Sequence, residues 1–267
     1  MAEQESPLTD EELILLSLDL WSLRIDELLD AARAEDALLI IRVILRQLPR
    51  HLPTYQRLLR AIWQLQRWDE GIDWATRLLR ADPGNPMAWS TVAMGVEQKG
   101  NRLRARSIWQ RAFEASPYDP MIRVGLSRTT INKIDPLALN PACLATIYLR
   151  CGQWEYAAKE YESLIKANAQ RNDFLLGTLV THWQRNRRST AYQLARKLLD
   201  REKNLLLPWV VLNSIGDAND RALAHNPINM MDPSNEYIYT WLGIGELDTS
   251  FEISITKAEV ELLDRIG

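Results

Sequence analysis

Few residues in this 267-residue chain stand at spacings that could do chemistry. Cys143 and Cys151, the two cysteines, lie eight positions apart. A redox or metal pair would need the sulfurs close together. On one helix that spacing separates them by ~12 Å along the axis, beyond disulfide reach. They read as two small, half-buried thiols. His51, His182 and His225 are scattered, and none falls at a metal-ligand spacing, so no metal and no cofactor is expected. Carboxylate pairs such as Glu11-Glu12 and Asp69-Glu70 sit at helix starts, where they favour the positive end of the helix dipole. There is no Gly-rich phosphate loop, no His-Glu-x-x-His and no Gly-x-Ser-x-Gly. Gly243-Ile-Gly245 lacks a third glycine and a preceding strand, and reads as a loop. The expectation is a protein that is not an enzyme.

Charge is more informative. The net charge of −3 hides a segregation along the chain. Residues 1–36 carry 2 basic and 11 acidic groups, residues 37–204 carry 27 and 14, and residues 205–267 carry 3 and 10. A middle of net +13 between acidic ends suits an acidic peptide, an acidic tail of another copy, or nucleic acid. The acidic ends would compete with nucleic acid for the same surface. The apolar fraction of 46% is too high for a disordered chain. The longest apolar run, Leu205 to Leu212, is eight residues and contains Pro208, far short of the ~20 needed to span a bilayer. The acidic start shows no secretory signal, which favours the cytoplasm.

The elements that carry these charges repeat. Pro49, Pro83 and Pro117 are each 34 residues apart, and each is followed by a second proline, at Pro53, Pro86 and Pro120. Trp21, Tyr55 and Trp89 keep the same period, as do Ala37, Gly71 and Ala105. Within residues 86–119, Trp89, Val92, Ala93 and Val96 form one apolar helix face, and Gly100 supplies a turn. Ala105, Ile108, Trp109 and Ala112 form a second face. The prolines stop one helix and open the next. No unit of this kind buries its apolar face alone, so neighbours must stack.

With these residues in place, the chain resembles the tetratricopeptide repeat family. Trp89, Ala93, Gly100, Ala105, Trp109, Ala112 and Pro117 carry the match in the best copy. Copies at 52–85 and 18–51 are looser. The phase then breaks, since the next turn glycine, Gly152, follows Gly100 by 52 residues, one repeat plus 18. Further copies read at 138–171 and 172–205, with Asn186 replacing the turn glycine of the second. The resemblance implies an all-α fold: an α-solenoid with a right-handed superhelix of stacked antiparallel helix pairs and a short irregular C-terminal tail.

The expected organisation is an acidic N-terminal segment and capping helix at 1–17, repeats 1–3 at 18–119, and a half-repeat at 120–137. Repeats 4–5 follow at 138–205, then a capping helix at 206–225 and an acidic tail at 226–267. Thr9 and Glu12 read as a capping box opening a helix through Leu13. Phe251 to Thr256 alternates like a strand, and Val260, Leu263 and Ile266 mark one face of a last short helix.

Family geometry implies that the first helix of each pair lines the concave surface. The residues placed there include Ser90, Glu97, Thr146 and Val180 and the nine expected partner contacts, Gln56, Arg60, Trp63, Gln64, Met94, Gln98, Leu149, Trp183 and Gln184. Trp and Arg are the types that dominate interface energetics. The Lys and Asn set of the family's carboxylate clamp is missing, its columns holding Gln56, Arg60, Thr91, Met121 and Gly125. The expected role is a scaffold that binds a partner protein's peptide or helix in the concave groove, without a membrane. A nucleic-acid-binding helical repeat and a homo-oligomer joined through the acidic tail are the alternatives.

Overall fold

The computed structural model describes residues 13–130, 137–243 and 245–264. A strand, β1 (Leu13–Ser17), runs into α1 (Leu18–Asp30), which pairs with α2 (Ala34–Gln47). Next come the pairs α3 (Leu52–Leu65) with α4 (Trp68–Ala81) and α5 (Pro86–Gln98) with α6 (Arg102–Ala115). A single helix, α7 (Pro120–Thr129), packs on α6. The pairs α8 (Pro141–Arg150) with α9 (Trp154–Ala167), α10 (Asn172–Gln184) with α11 (Arg188–Arg201), and α12 (Leu206–Ile215) with α13 (Ala218–Met231) follow. The chain then adds α14 (Glu236–Leu242), β2 (Glu252–Thr256) and α15 (Lys257–Asp264). The architecture is an α-solenoid of stacked antiparallel helix pairs with one two-stranded sheet among the described residues.

The repeat is visible in the backbone. Each of five pairs turns on a left-handed residue at one column: Ala32, Gln66 and Gly100, then Gly152 and Asn186 after the phase break. A second column ties each first helix to the turn before it. Tyr55 Oη donates to the Pro49 carbonyl, Trp89 Nε1 to Pro83 at 2.8 Å, Arg123 to Pro117 at 3.0 Å, and Trp209 Nε1 to Lys203 at 2.9 Å, always six residues back. Arg123 keeps this bond in α7, which marks α7 as a first helix in phase with the three pairs before it. Asn85, Asn101, Asp119 and Asn140 cap the helices that follow them by accepting a backbone N–H.

The two ends of the array meet. Leu206, Met231, Tyr237, Ile238, Ile253 and Ile255 lie in one buried core with the residues of α1 to α5. β1 pairs antiparallel with β2, and Leu18 N–H extends the ladder to the Phe251 carbonyl at 2.9 Å. The other edge of β2 is held by the Gln47 amide, which donates to the Ser254 carbonyl and accepts its N–H at 3.0 Å. Arg46 pairs with Glu259 at 2.7 Å, and Arg57 with Glu236 at 2.7 Å. The solenoid is closed on itself.

Several expectations are corrected here. Leu13 to Leu16 is strand, not the start of a capping helix, because Glu252–Thr256 supplies its hydrogen-bond partners; Thr9 and Glu12 lie outside the described residues. The helix expected over 206–225 is two helices. Gly216 ends α12, and Asp217 with Asp220 forms a capping box that starts α13, whose last turns carry Pro227. The tail is therefore mostly regular structure packed on the first units. Phe251–Thr256 contains the expected strand, with Ile253 and Ile255 buried. Val260 packs on the core; Ile266 and the side chain of Leu263 lie outside the described residues.

Candidate functional site

The residues expected on the inner face fall into two groups, before and after the phase break. In the first half the side chains expected to meet a partner are engaged within the chain. Arg60 pairs with Asp26 at 2.5 Å and Asp30 at 2.8 Å. Trp63 donates to Thr91 Oγ1 at 2.8 Å and stands edge-on to Trp68, while Gln64 donates to the Leu29 carbonyl at 2.7 Å. Met94 Sδ receives Gln98 Nε2 at 3.7 Å and Arg128 at 3.9 Å. Gln56 is half-buried on α3. Beside it, Arg57 is clamped between Asp26 and Glu236. Burial lowers the Arg57 pKa, but its bonds and attraction to these two carboxylates more than offset that and raise it.

The second half is open. A cavity of about 670 Å³ lies between α6, α8, α10, α12 and α14. It exists because the phase break seats α8 directly against α6. Leu149 and Gln184 line it, and Trp183 packs on the adjoining core of α10, α11 and α12. The remaining residues of the nine do not reach it. First helices α5, α8, α10 and α12 supply much of the wall; sequence reasoning missed the part that comes from second helices (Arg111, Glu114, Trp154, Tyr161) and from the tail (Tyr237, Ile238, Thr240). The only available signal was the 18-residue offset between Gly100 and Gly152, which opens a gap at this point.

One wall is ionic. Arg171 pairs with Glu114 at 2.8 Å and Asp173 at 2.5 Å, and its guanidinium lies 3.6 Å from the Phe174 ring centroid. Arg111 stacks over Trp89 at 4.6 Å and reaches Asp173 at 3.2 Å, with its Nε buried and without an acceptor. Burial pushes the Arg111 pKa down, Asp173 offsets part of this, and neighbouring Arg171 adds to the fall. Tyr161 is pushed up to about 12, first by burial, so it is a neutral hydrogen-bonding group at any ordinary pH. The opposite wall holds Asp82, which accepts from Tyr237 Oη at 2.8 Å and whose carboxyl is raised by desolvation. The rest is mainly apolar: Leu149, Val180, Leu206 and Ile238 beside Trp89 and Trp154.

Such a cavity can hold an apolar side chain and hydrogen-bond a polar group next to it. Among the described residues no group of His, Cys, Asp and Glu could hold a metal ion. Cys143 is buried and Cys151 exposed, and both are free thiols. No described helix is long and apolar enough to cross a membrane.

No family model and no curated protein matches the chain. Solved structures do. A tetratricopeptide repeat protein from Parabacteroides merdae is 14% identical at a TM-score of 0.36, over 84% of this chain and 82% of that one. A chain of the Naa15/Naa10 complex bound to HypK-THB is 14% identical at 0.34, over 78% of this chain. A chain of the APC/C hetero-tetramer Cut9-Hcn1 is 13% identical at 0.35, over 85% of this chain. This chain spans 30% of the length of the matched Naa15/Naa10 chain and 48% of the Cut9-Hcn1 one. In its 34-residue columns and helix pairing, the chain has the fold of an α-helical repeat protein.

Proposed function

We propose that this protein is a non-enzymatic interaction scaffold and that a partner protein docks a peptide or helix on the open half of its inner face. The observation that carries this reading is the uncovered apolar and aromatic lining of the cavity, against a first half whose side chains are already engaged by neighbouring helices of the chain. Leu149 and Gln184, with Trp183 beside them, are then the contact residues. Arg60, Trp63, Gln64, Met94 and Gln98 shape the surface from the engaged half, together with Gln56. The free thiols suit a reducing compartment such as the cytoplasm.

The test is co-purification of the tagged full chain from its native lysate, with and without nuclease, for the wild type and for Leu149→Asp. The expected result is a discrete protein retained after nuclease and lost with Leu149→Asp, while the helical circular dichroism is unchanged. Retention of the same protein by Leu149→Asp would move the site off the cavity. Nucleic acid released by nuclease and by salt would instead favour the exposed arginines of α6 and α11.

A further inference from the structure

A second, smaller cavity of about 280 Å³ lies where the two ends of the array meet. Its cationic groups come from separate elements: Arg50 from the turn between α2 and α3, and Arg77 and Arg80 from one face of α4. Asn204 and Met231, from the far end of the chain, complete it. No acidic side chain lines it, and among the described residues none of the three arginines forms an ion pair. Exposed arginines such as Arg42 and Arg104 also form no ion pair among the described residues, but the seam differs from the arginines packed between units. Arg46, Arg57, Arg60, Arg67, Arg111, Arg128, Arg171, Arg185 and Arg196 each have a carboxylate partner.

Two of the guanidiniums are also held in place. Arg50 Nη2 donates to Asn204 Oδ1 at 2.8 Å, and Asn204 is itself fixed by Glu202 at 2.6 Å. Arg77 lies over the Trp74 ring, 4.4 Å from its centroid. Three like charges at one cavity with no carboxylate in its lining repel one another, Glu202 standing behind Asn204 rather than among them. A multivalent anion that accepts hydrogen bonds from more than one guanidinium removes that repulsion.

We propose that the pocket formed by Arg50, Arg77 and Arg80 binds a phosphate dianion, free or as a monoester, and that it does so only when the solenoid is closed. The coupling follows from the donor set. Asn204, which orients Arg50, belongs to the last third of the chain, and opening the ring removes it from the pocket. The site is independent of the partner face proposed above, since the two cavities have different linings except for Ala81 and Leu206 stands only in the larger one.

The test uses the full chain and two probes, inorganic phosphate and a short phosphoserine peptide, each against chloride at matched ionic strength. Thermal unfolding and phosphorus-31 NMR are the readouts. The expected result is a saturable rise in melting temperature and a broadened phosphorus signal for at least one probe. Arg77→Gln with Arg80→Gln, both on the exposed side of α4, weaken binding by about tenfold or more. Arg104→Gln with Arg106→Gln, a like change of charge on α6, leave it unchanged. The stronger probe tells a free phosphate from a phosphorylated segment. No saturable effect of either probe above chloride overturns the proposal, and so does equal weakening by the two double variants, which reports bulk charge only.

Discussion

The indole of Trp109 fills the space that a side chain on Gly125 would need: a Cβ there would stand 2.5 Å from Cε2 of the ring. Fifty-two residues on, Tyr161 and Gly177 repeat the relationship, with a Cβ at Gly177 falling 2.2 Å from the ring. In both cases the aromatic belongs to a second helix and the glycine to a first helix that packs against it. Gly125→Ala and Gly177→Ala are each expected to destabilise the fold by ~1–3 kcal/mol through overpacking. Urea unfolding checks this. A double variant with Trp109→Phe should be non-additive with Gly125→Ala, because the two residues share one contact.

The left-handed column yields a pair of opposite effects. Gly100 has φ +79°, and a Cβ there would meet nothing within 4 Å. Gly100→Ala therefore costs about 1–2 kcal/mol from backbone strain alone. Gln66 occupies the same position in the preceding unit with φ 55°. Gln66→Gly relieves that strain and is expected to stabilise by up to ~1 kcal/mol, less the entropy that glycine adds to the unfolded chain. Thermal melts of the two variants should move in opposite directions.

These columns show what was legible in the sequence. Period, helix pairing and the turn at Gly100, Gly152 and Asn186 follow from residues close in the chain, whose spacing is a local property. Ring closure rests on contacts such as Arg57 with Glu236, 179 residues apart, which no periodicity encodes. The split of 206–225 into α12 and α13 was hidden because Leu206 to Ala224 is rich in apolar residues on both sides of Gly216. The inner-face columns were placed by family geometry, which does not encode the ion pairs and hydrogen bonds that Arg60, Trp63 and Gln64 make with α1 and α5. Leu149 and Gln184 reach the cavity because they follow the phase break.

His51 gives a pH effect of definite sign. It is fully buried at the start of α3, its Nδ1 lies 2.7 Å from Thr54 Oγ1, and its Nε2 has no partner. Burial first, then the nearby Arg57 charge, lower its pKa to about 3. The unfolded chain binds this proton at a higher pH than the folded one, so stability is lost as pH falls below the unfolded value near ~6.5. By pH 4.5 the loss should reach about 2–3 kcal/mol relative to neutral pH. Comparing urea midpoints of the wild type and His51→Gln over this range isolates the contribution, and equal slopes would refute it.

Asp232 acts in the opposite sense. Its carboxylate accepts the N–H groups of Tyr237 at 2.9 Å and Ile238 at 3.0 Å, and so holds the first turn of α14 against the core. Those bonds lower its pKa, but burial outweighs them and raises it to about 6. A carboxyl with a raised folded value binds its proton more tightly when folded. Stability from this group is therefore present at low pH and declines as pH rises from ~4 through 6. The decline should amount to about 2–3 kcal/mol. Asp232→Asn keeps a neutral group with one accepting oxygen at every pH, so this contribution holds level in the variant. The unfolding free energy of the wild type relative to the variant should fall by about 2–3 kcal/mol between pH 4 and pH 7. Because His51 is unchanged in both proteins, its opposite slope cancels in that difference.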